Sequence, residues 1–206
     1  QIYTKKGFGL GVEKGAKVAA DFFIKEKLKG PIFNNFDIGS YLDYRLYPKE
    51  KVFVDGRPEA YPATFFQETY IPMQMDKNKF EFEDQKYNFN TIFFSHTDQT
   101  PWAEKFIKQI AQNKKWNLIY LDDFSVIWTK DKSIKPNIQT DYSDMQSLIQ
   151  MAHFFQNTSS ENQEINVYQK ILDSADLGIE VVEYIRAGNW APGALRETIA
   201  VHTRRL

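Results

Sequence analysis

Polar side chains capable of chemistry follow three short, mostly apolar runs of this 206-residue chain. The runs are residues 31–34, 51–54 and 91–94, and each has the length and composition of a strand. If the strands are parallel and adjacent, their carboxyl ends share one edge of a sheet, where open α/β sheets bind ligands. That edge would gather carboxylates, amides, a guanidinium and an imidazole, from Asn34, Asn35, Asp37, Asp55, Arg57, Ser95, His96 and Asp98.

Each charged candidate has a structural interpretation beside the chemical one. Asp37 can meet a ligand hydroxyl, or it can cap a helix that begins nearby. Asp55 and Arg57, separated by one glycine, can grip a sugar or phosphate, or form an internal ion pair across a tight turn. His96 can act as a general base or as a hydrogen-bonded loop residue. In all three cases the isolated residue types favour the structural role.

The sequence contains no complete catalytic or metal-binding motif. It has no cysteine, which excludes disulfides, thiol catalysis and cysteine-based zinc sites. No two of its histidines have the helical spacing of zinc hydrolases, and no Gly-x-Ser-x-Gly turn follows a strand. We therefore predict neither a metal site nor a cofactor. A net charge of −1 gives no reason to expect a nucleic-acid partner.

Helices and strands alternate along the first two thirds of the chain. Apolar residues at helical spacing predict helices over 13–29, from Asn35 or Asp37 through Leu46, over 64–75 with an interruption at Pro72, and after Pro101. Residues 76–90 are polar and predict a loop, whereas 116–121 and 124–129 predict a hairpin with the turn Asp122-Asp123. The alternation predicts an α/β fold, a small layered sheet of mostly parallel strands with a C-terminal hairpin.

A change in charge suggests where this domain ends. Residues 1–139 carry 21 basic and 18 acidic side chains, whereas 140–206 carry 5 and 9. We predict a linker at 1–12, an α/β domain at 13–132, a polar connection over 130–140 and an α-helical tail at 141–206. A first residue other than methionine suggests a fragment of a longer protein.

One stretch of sequence resembles a known family. It consists of Leu28-Lys29-Gly30, then residues 31–42, and then 51–57 followed by Tyr61, with the hairpin from Trp116 to Trp128 closing the match. Over roughly residues 13–130 this pattern resembles the soluble C-terminal domain of bacterial multi-spanning membrane proteins. Those proteins are related to the GT-C class of glycosyltransferases, which use polyprenyl-phosphate-linked sugars.

The resemblance implies a location and partners but no catalytic residue. In the GT-C class the catalytic carboxylates lie between membrane helices, so the resemblance implies a non-catalytic domain on the extracytoplasmic, periplasmic face of the inner membrane. Its partners would be the membrane-embedded part of the same protein and a glycan or polyprenyl-phosphate-linked sugar. With His96 from the strand-end edge, the candidate binding or structural residues are Asn35, Asp37, Tyr41, Asp55, Arg57 and His96.

Two other functions compete with this one. A stand-alone transferase or hydrolase would use Asp55, Arg57 and His96, and it requires a concave pocket in which they converge. A protein-interaction module would use the helical tail, and it requires an exposed apolar groove over residues 141–200.

Overall fold

A computed structural model describes residues 14–139 of the chain, together with residues 150, 151, 154, 155, 157 and 158. The predicted linker at 1–12 and most of the predicted tail at 141–206 therefore lie outside the described residues. None of the helices among the described residues has the length and hydropathy of a membrane span.

The described strands form one mixed sheet, in the order β1-β2-β4-β3-β5. β1 pairs with β2 and β3 pairs with β5 in parallel, whereas β4 runs antiparallel to both β2 and β3. A single parallel bridge from Ile32 to Val52 adds the 51–54 segment beside β1. The predicted α/β class is confirmed. The strand bounds are Ile32–Asn34 (β1), Thr91–Ser95 (β2), Asn117–Leu121 (β3), Ser125–Thr129 (β4) and Asn137–Ile138 (β5).

Helices cover both faces of the sheet because successive side chains along each strand point to opposite sides. On one face, helices α1 (Lys14–Lys25) and α2 (Phe36–Leu46) pack small and branched residues against Phe93 and Ile127. On the other face, Phe33, Phe94 and Trp128 pack against α3 (Ile71–Met75), α4 (Lys77–Tyr87) and α5 (Pro101–Ala111). A π-helix over Phe65–Tyr70 runs directly into α3, and a short 3-10 helix covers Pro58–Ala60.

Three local predictions differ from the structure. Residues 51–54 make only one bridge instead of a full strand. The hairpin is present, but its two-residue turn is Asp123-Phe124, one residue later than predicted, because Asp122 and Ser125 form the last pair. The polar segment at 130–140 is not a plain connection, since it contains β5.

The loop predicted at 76–90 was wrong, because it contains α4. The Asp76 side chain caps this polar helix by accepting from the Lys79 amide, and Asn88 ends it in the left-handed conformation. Phe80 is its main apolar anchor, and Glu83 is buried beside Lys79, with 2.7 Å between the carboxylate and the ammonium. Local charge pairs and caps thus stabilise a helix that has little apolar periodicity.

Aromatic residues fill much of the core. Phe33 lies at the centre, within 5.0–6.3 Å (ring centroids) of six other rings. Phe22 and Phe23 are both buried on the face covered by α1 and α2, whereas Phe93 and Phe94 are buried on opposite faces of the sheet. Met151, Phe154 and Phe155, which belong to the predicted tail, are buried in the same core as Trp128.

Candidate functional site

The predicted edge exists, because β1 and β2 are parallel neighbours and residues 52–54 lie on the other side of β1. Asn34 ends β1 and is fully buried. Its side-chain nitrogen donates to the carbonyl of Val54 at 2.7 Å, and its oxygen accepts from the Phe53 amide at 2.9 Å. The Asn34 side chain thus makes the hydrogen bonds that continued backbone pairing would have made. Residues 51–54 therefore lie alongside β1 with only one backbone bridge.

Asn35 makes the equivalent connection toward β2. Its side-chain oxygen accepts from the Ser95 amide at 2.9 Å, and its nitrogen donates to the Asp98 carboxylate at 3.0 Å and to the Ser95 carbonyl at 3.3 Å. The residue is fully buried and occupies the N-cap position of α2, yet its side chain makes no capping bond. Its polar atoms are committed to holding the ends of β1 and β2 together.

Asp55 and Arg57 form a closed pair at the third predicted strand end. The carboxylate accepts from Arg57 Nε at 3.0 Å and from Nη2 at 2.5 Å, and it also accepts from the Arg57 backbone amide at 3.0 Å. These bonds to Arg57 hold the pKa of the Asp55 carboxyl below its usual value. The Asp55 amide donates to the Tyr61 hydroxyl, so the turn is fixed from both sides.

Gly39 explains why α2 can approach this turn so closely. A Cβ atom at Gly39 would lie 2.0 Å from the Val54 carbonyl oxygen and 2.8 Å from the Asp55 Cα, far inside van der Waals contact. One residue further along α2, the Ser40 hydroxyl accepts from the Gly56 amide at 2.9 Å. Residues 31–42 and 51–57 therefore bring a helix directly against a turn.

Asp37 is not the helix cap that was predicted. It lies in the first turn of α2, where the amide of Phe36 donates to the Tyr70 hydroxyl at 2.8 Å. Partial burial, and then the neighbouring Asp98 carboxylate, raise the pKa of Asp37. Tyr70 itself is buried, which raises the pKa of its hydroxyl. Tyr70 contacts this edge although it lies 34 residues after Phe36 in the sequence. No sequence pattern predicted this contact.

His96 contacts the hairpin between β3 and β4. Its Nε2 lies 2.7 Å from the Asp122 carbonyl oxygen, so Nε2 carries a hydrogen, because a carbonyl oxygen can only accept. Its ring packs edge-on against Phe154, with centroids 5.2 Å apart. The Asp122 carboxylate accepts from Tyr120 and from the amides of Phe124 and Ser125, and it therefore serves the hairpin turn.

Tyr41 does not belong to the edge either. Its hydroxyl accepts from Arg45 Nη1 at 3.1 Å, one helical turn further along α2. Arg45 also pairs with Asp21, which ties α2 to α1. Tyr41 thus supports the contact between α1 and α2, on the face of the sheet opposite Phe33.

The chemistry available at this edge is limited by how its groups are used. Asn34, Asn35, Asp55 and Asp98 all bond to neighbouring segments. Among the carboxylates at this edge, that of Asp37 is the most accessible. Asp37 follows Phe36, which belongs to an aromatic cluster with Tyr61, Phe65, Phe66 and Tyr70. Within the described ranges, no three His, Asp or Glu side chains are grouped so that they could hold a metal ion.

Comparisons with protein families, curated proteins and solved structures found no match for this chain.

Proposed function

We propose that this chain is a non-catalytic domain of a membrane protein related to the GT-C glycosyltransferases, placed on the extracytoplasmic face of a bacterial inner membrane. In that position it would assist the membrane-embedded part of the same protein in holding an acceptor glycan or a polyprenyl-phosphate-linked sugar. The proposal begins from the resemblance of residues 31–42 and 51–57 to that family.

One observation supports it above the others: the polar residues of the shared motif act as internal ties. Asn34 and Asn35 bridge three chain segments, and Asp55 closes on Arg57. Gly39 allows α2 to touch the segment at 54–55. A motif used for internal contacts fits a domain that leaves the reactive groups to the membrane-embedded part of the same protein.

The geometry does not favour the stand-alone enzyme. Asp55 follows the segment beside β1, whereas His96 follows β2 and bonds toward β4. Those strands are two sheet positions apart, or about 10 Å at the usual strand spacing. Asp55, Arg57 and His96 therefore do not converge on one reacting atom, as a general base and its partners must.

The interaction module finds little support in the described part of the tail. Met151, Phe154 and Phe155 are buried, and Phe154 contacts both His96 and Trp128. An apolar face that already packs on the sheet is not available to a second protein. The groove predicted over residues 141–200 otherwise falls outside the described residues.

Fractionation of native cells tests the proposal. Antibodies raised against this chain should detect the full-length product in the membrane pellet, resistant to alkaline carbonate and released by detergent. A product that remains in the supernatant, or that carbonate releases, would rule out an integral membrane protein. An antibody against a known integral membrane protein of the same cells provides the control.

A further inference from the structure

Lysines are concentrated at one end of the sheet, the end at which β1, β2 and β3 begin and β4 ends. α1, α2 and α5 run toward this end, and α4 lies near it, since Phe80 packs beside Trp116 and the Asp84 carboxylate pairs with Lys130. The connections at this end are residues 26–31, 47–51, 88–90, 112–116 and 130–133. The lysines on these connections and on the adjoining last helical turns are Lys25, Lys27, Lys29, Lys49, Lys51, Lys86, Lys108, Lys114, Lys115, Lys130 and Lys132.

Fewer carboxylates accompany these lysines, and most of those present are paired. Lys29 lies 3.4 Å from Glu50, and Lys130 lies 2.8 Å from Asp84. The carboxylates near this lysine-rich end are Glu26, Glu50, Glu83, Asp84 and Asp131. Among the residues that the structure describes, these exposed lysines have no ion-pair partner: Lys27, Lys49, Lys51, Lys114, Lys115 and Lys132.

The connections at the opposite end of the sheet carry mostly negative side chains. Its connections hold Asp37, Asp55, Glu59, Asp98, Asp122 and Asp123, accompanied within the described residues by the single cation Arg57. The chain is nearly neutral as a whole, with a net charge of −1, yet its charges are separated along the strand direction. Such a separation orients a molecule in front of a charged surface.

Helix dipoles account for only part of the lysine-rich end. A cation in the last helical turn is favoured by the partial negative charge there, and this applies to Lys25 and Lys86. Lys27, Lys49 and Lys51 lie beyond the helix ends, in the connections themselves. They have no local partner that explains their charge.

Exposed apolar and aromatic side chains lie at the same end. Ile24 near the end of α1 is 49% exposed, and Tyr44 and Tyr47 at the end of α2 are 81% and 65% exposed. Tyrosine is enriched where proteins meet the headgroup layer, because its ring is apolar and its hydroxyl is polar. A cavity of about 220 Å³ opens between Lys27, Lys29 and Lys130.

We propose that the lysine-rich end docks on the surface of an anionic lipid bilayer, with Ile24, Tyr44 and Tyr47 entering the headgroup layer and the unpaired lysines facing lipid phosphates. The inference goes beyond the proposed function and does not require it, because the 206-residue chain can be tested alone. Failure to bind vesicles would leave the fractionation result untouched.

A bilayer fits this end better than a nucleic acid does. The connections end together at one edge of the sheet, so they present a broad face instead of a groove that follows a backbone. The basic residues are lysines, which act as point charges, whereas arginines provide the paired contacts common in base recognition. The acidic opposite end would repel a polyanion long enough to wrap the molecule.

Vesicle sedimentation tests the inference with the intact chain. We expect the chain to pellet with vesicles containing one third phosphatidylglycerol but not with pure phosphatidylcholine. Binding should disappear in about 1 M NaCl, where the Debye length is about 3 Å. Vesicle binding should also be measured with added inorganic phosphate and with added NaCl at equal ionic strength. Phosphate should weaken binding no more than NaCl does, because the surface recognises a bilayer and not an isolated phosphate.

The decisive comparison is between two triple variants of equal charge. Lys27→Gln/Lys49→Gln/Lys51→Gln should weaken binding roughly 100-fold, at about fivefold for each lysine near an anionic surface. Lys17→Gln/Arg57→Gln/Lys105→Gln removes the same charge from positions away from this end, and it should weaken binding less than fivefold, in line with the smaller effect of distant charges. Circular dichroism confirms that both variants fold.

Three results would overturn the inference. The first is equal loss of binding in both triple variants, which would make net charge alone responsible. The second is no difference between anionic and neutral vesicles. The third is tighter binding to RNA than to anionic vesicles at the same salt concentration.

Discussion

At the scale of single residues, Gly39 holds the tightest contact of the motif. Gly39→Ala should destabilise the chain by at least about 2 kcal/mol, because the new methyl group would overlap the Val54 carbonyl. Alanine normally stabilises a helix relative to glycine by about 1 kcal/mol, so the sign of the effect is diagnostic. Urea unfolding measures this change in the free energy of unfolding.

Tyr44→Ala, on the exposed side of the same helix, is the control and should change the free energy of unfolding by less than about 0.5 kcal/mol. A Gly39→Ala variant as stable as the parent would show that α2 does not press against residues 54–55.

Asp37 and Asp98 form a pair of like charges at the edge. The pKa of Asp37 is raised above 3.8 by partial burial and by Asp98. The native chain therefore binds the Asp37 proton more tightly than the unfolded chain does. Its contribution to stability is complete below about pH 4 and is lost as the pH rises through the folded-state pKa.

Asp98→Asn should consequently lower the pKa of Asp37, since it removes the second cause and keeps the side-chain shape. Carbon-detected NMR titration of the Asp37 carboxyl measures the change. Glu104→Gln removes an equal charge from α5 and provides the control. An unchanged Asp37 pKa in Asp98→Asn would show that the two carboxylates do not interact.

At the scale of elements, Asn34 decides how residues 51–54 join the sheet. Asn34→Ala leaves the Phe53 amide without its acceptor and the Val54 carbonyl without its donor. A loss of about 3 kcal/mol in local stability should follow, from two broken bonds in a buried site. Hydrogen exchange at the Phe53 and Val54 amides should then accelerate roughly 100-fold. Asn78→Ala, on the exposed surface of α4, should leave both exchange rates unchanged. If the Phe53 and Val54 amides of Asn34→Ala exchanged as slowly as those of the parent chain, Asn34 would not hold residues 51–54 to the sheet.

The elements that sequence patterns predicted correctly are those with a strong local signal. α5 has apolar residues on one face, a capping threonine at Thr100 and a proline at its first position. β2, β3 and β4 are apolar runs bounded by polar turns. For these elements the local preference and the tertiary packing agree, and the residues could be assigned before the fold was known.

Other elements depend on partners that are distant in sequence. α4 is stabilised by its caps, by the Lys79–Glu83 pair and by Phe80, none of which gives a periodic apolar pattern. The 51–54 segment resembles a strand in sequence, but side-chain hydrogen bonds from Asn34 take the place of backbone pairing at Phe53 and Val54. The same limit applies to the candidate site. Adjacent strand ends could be predicted, whereas the contacts of Tyr70 with Phe36 and of His96 with Phe154 arise only when the chain has folded.

At the scale of the whole molecule, the sheet and the first described residues of the tail share one core. Phe154→Ala should lower the free energy of unfolding by about 3 kcal/mol, because it empties a site beside Trp128 and His96. The unfolding transition should remain single, as monitored by tryptophan fluorescence. Phe82→Ala, at a position 63% exposed, should cost less than about 1 kcal/mol. An unchanged main transition in Phe154→Ala would mean that residues 151–155 do not stabilise the sheet.

The charge distribution belongs to the same scale. The acidic strand-end edge and the lysine-rich end lie at opposite ends of the parallel strands, so docking on a bilayer would leave the edge with Asp37 and Asp98 facing away from the lipid. The proposed membrane contact and the candidate edge are therefore separate surfaces, and variants in one should not affect the other.

We propose that this domain lies outside the inner membrane as part of an integral membrane protein, and cysteine labelling tests that proposal most directly. The chain has no cysteine, so Lys105→Cys places one exposed thiol on α5, away from the lysine-rich end. In the full-length protein, a maleimide that cannot cross the inner membrane should label Lys105→Cys in intact spheroplasts, above the level of the unmodified parent. Labelling that appears only after lysis would place the domain inside the cell and contradict the account.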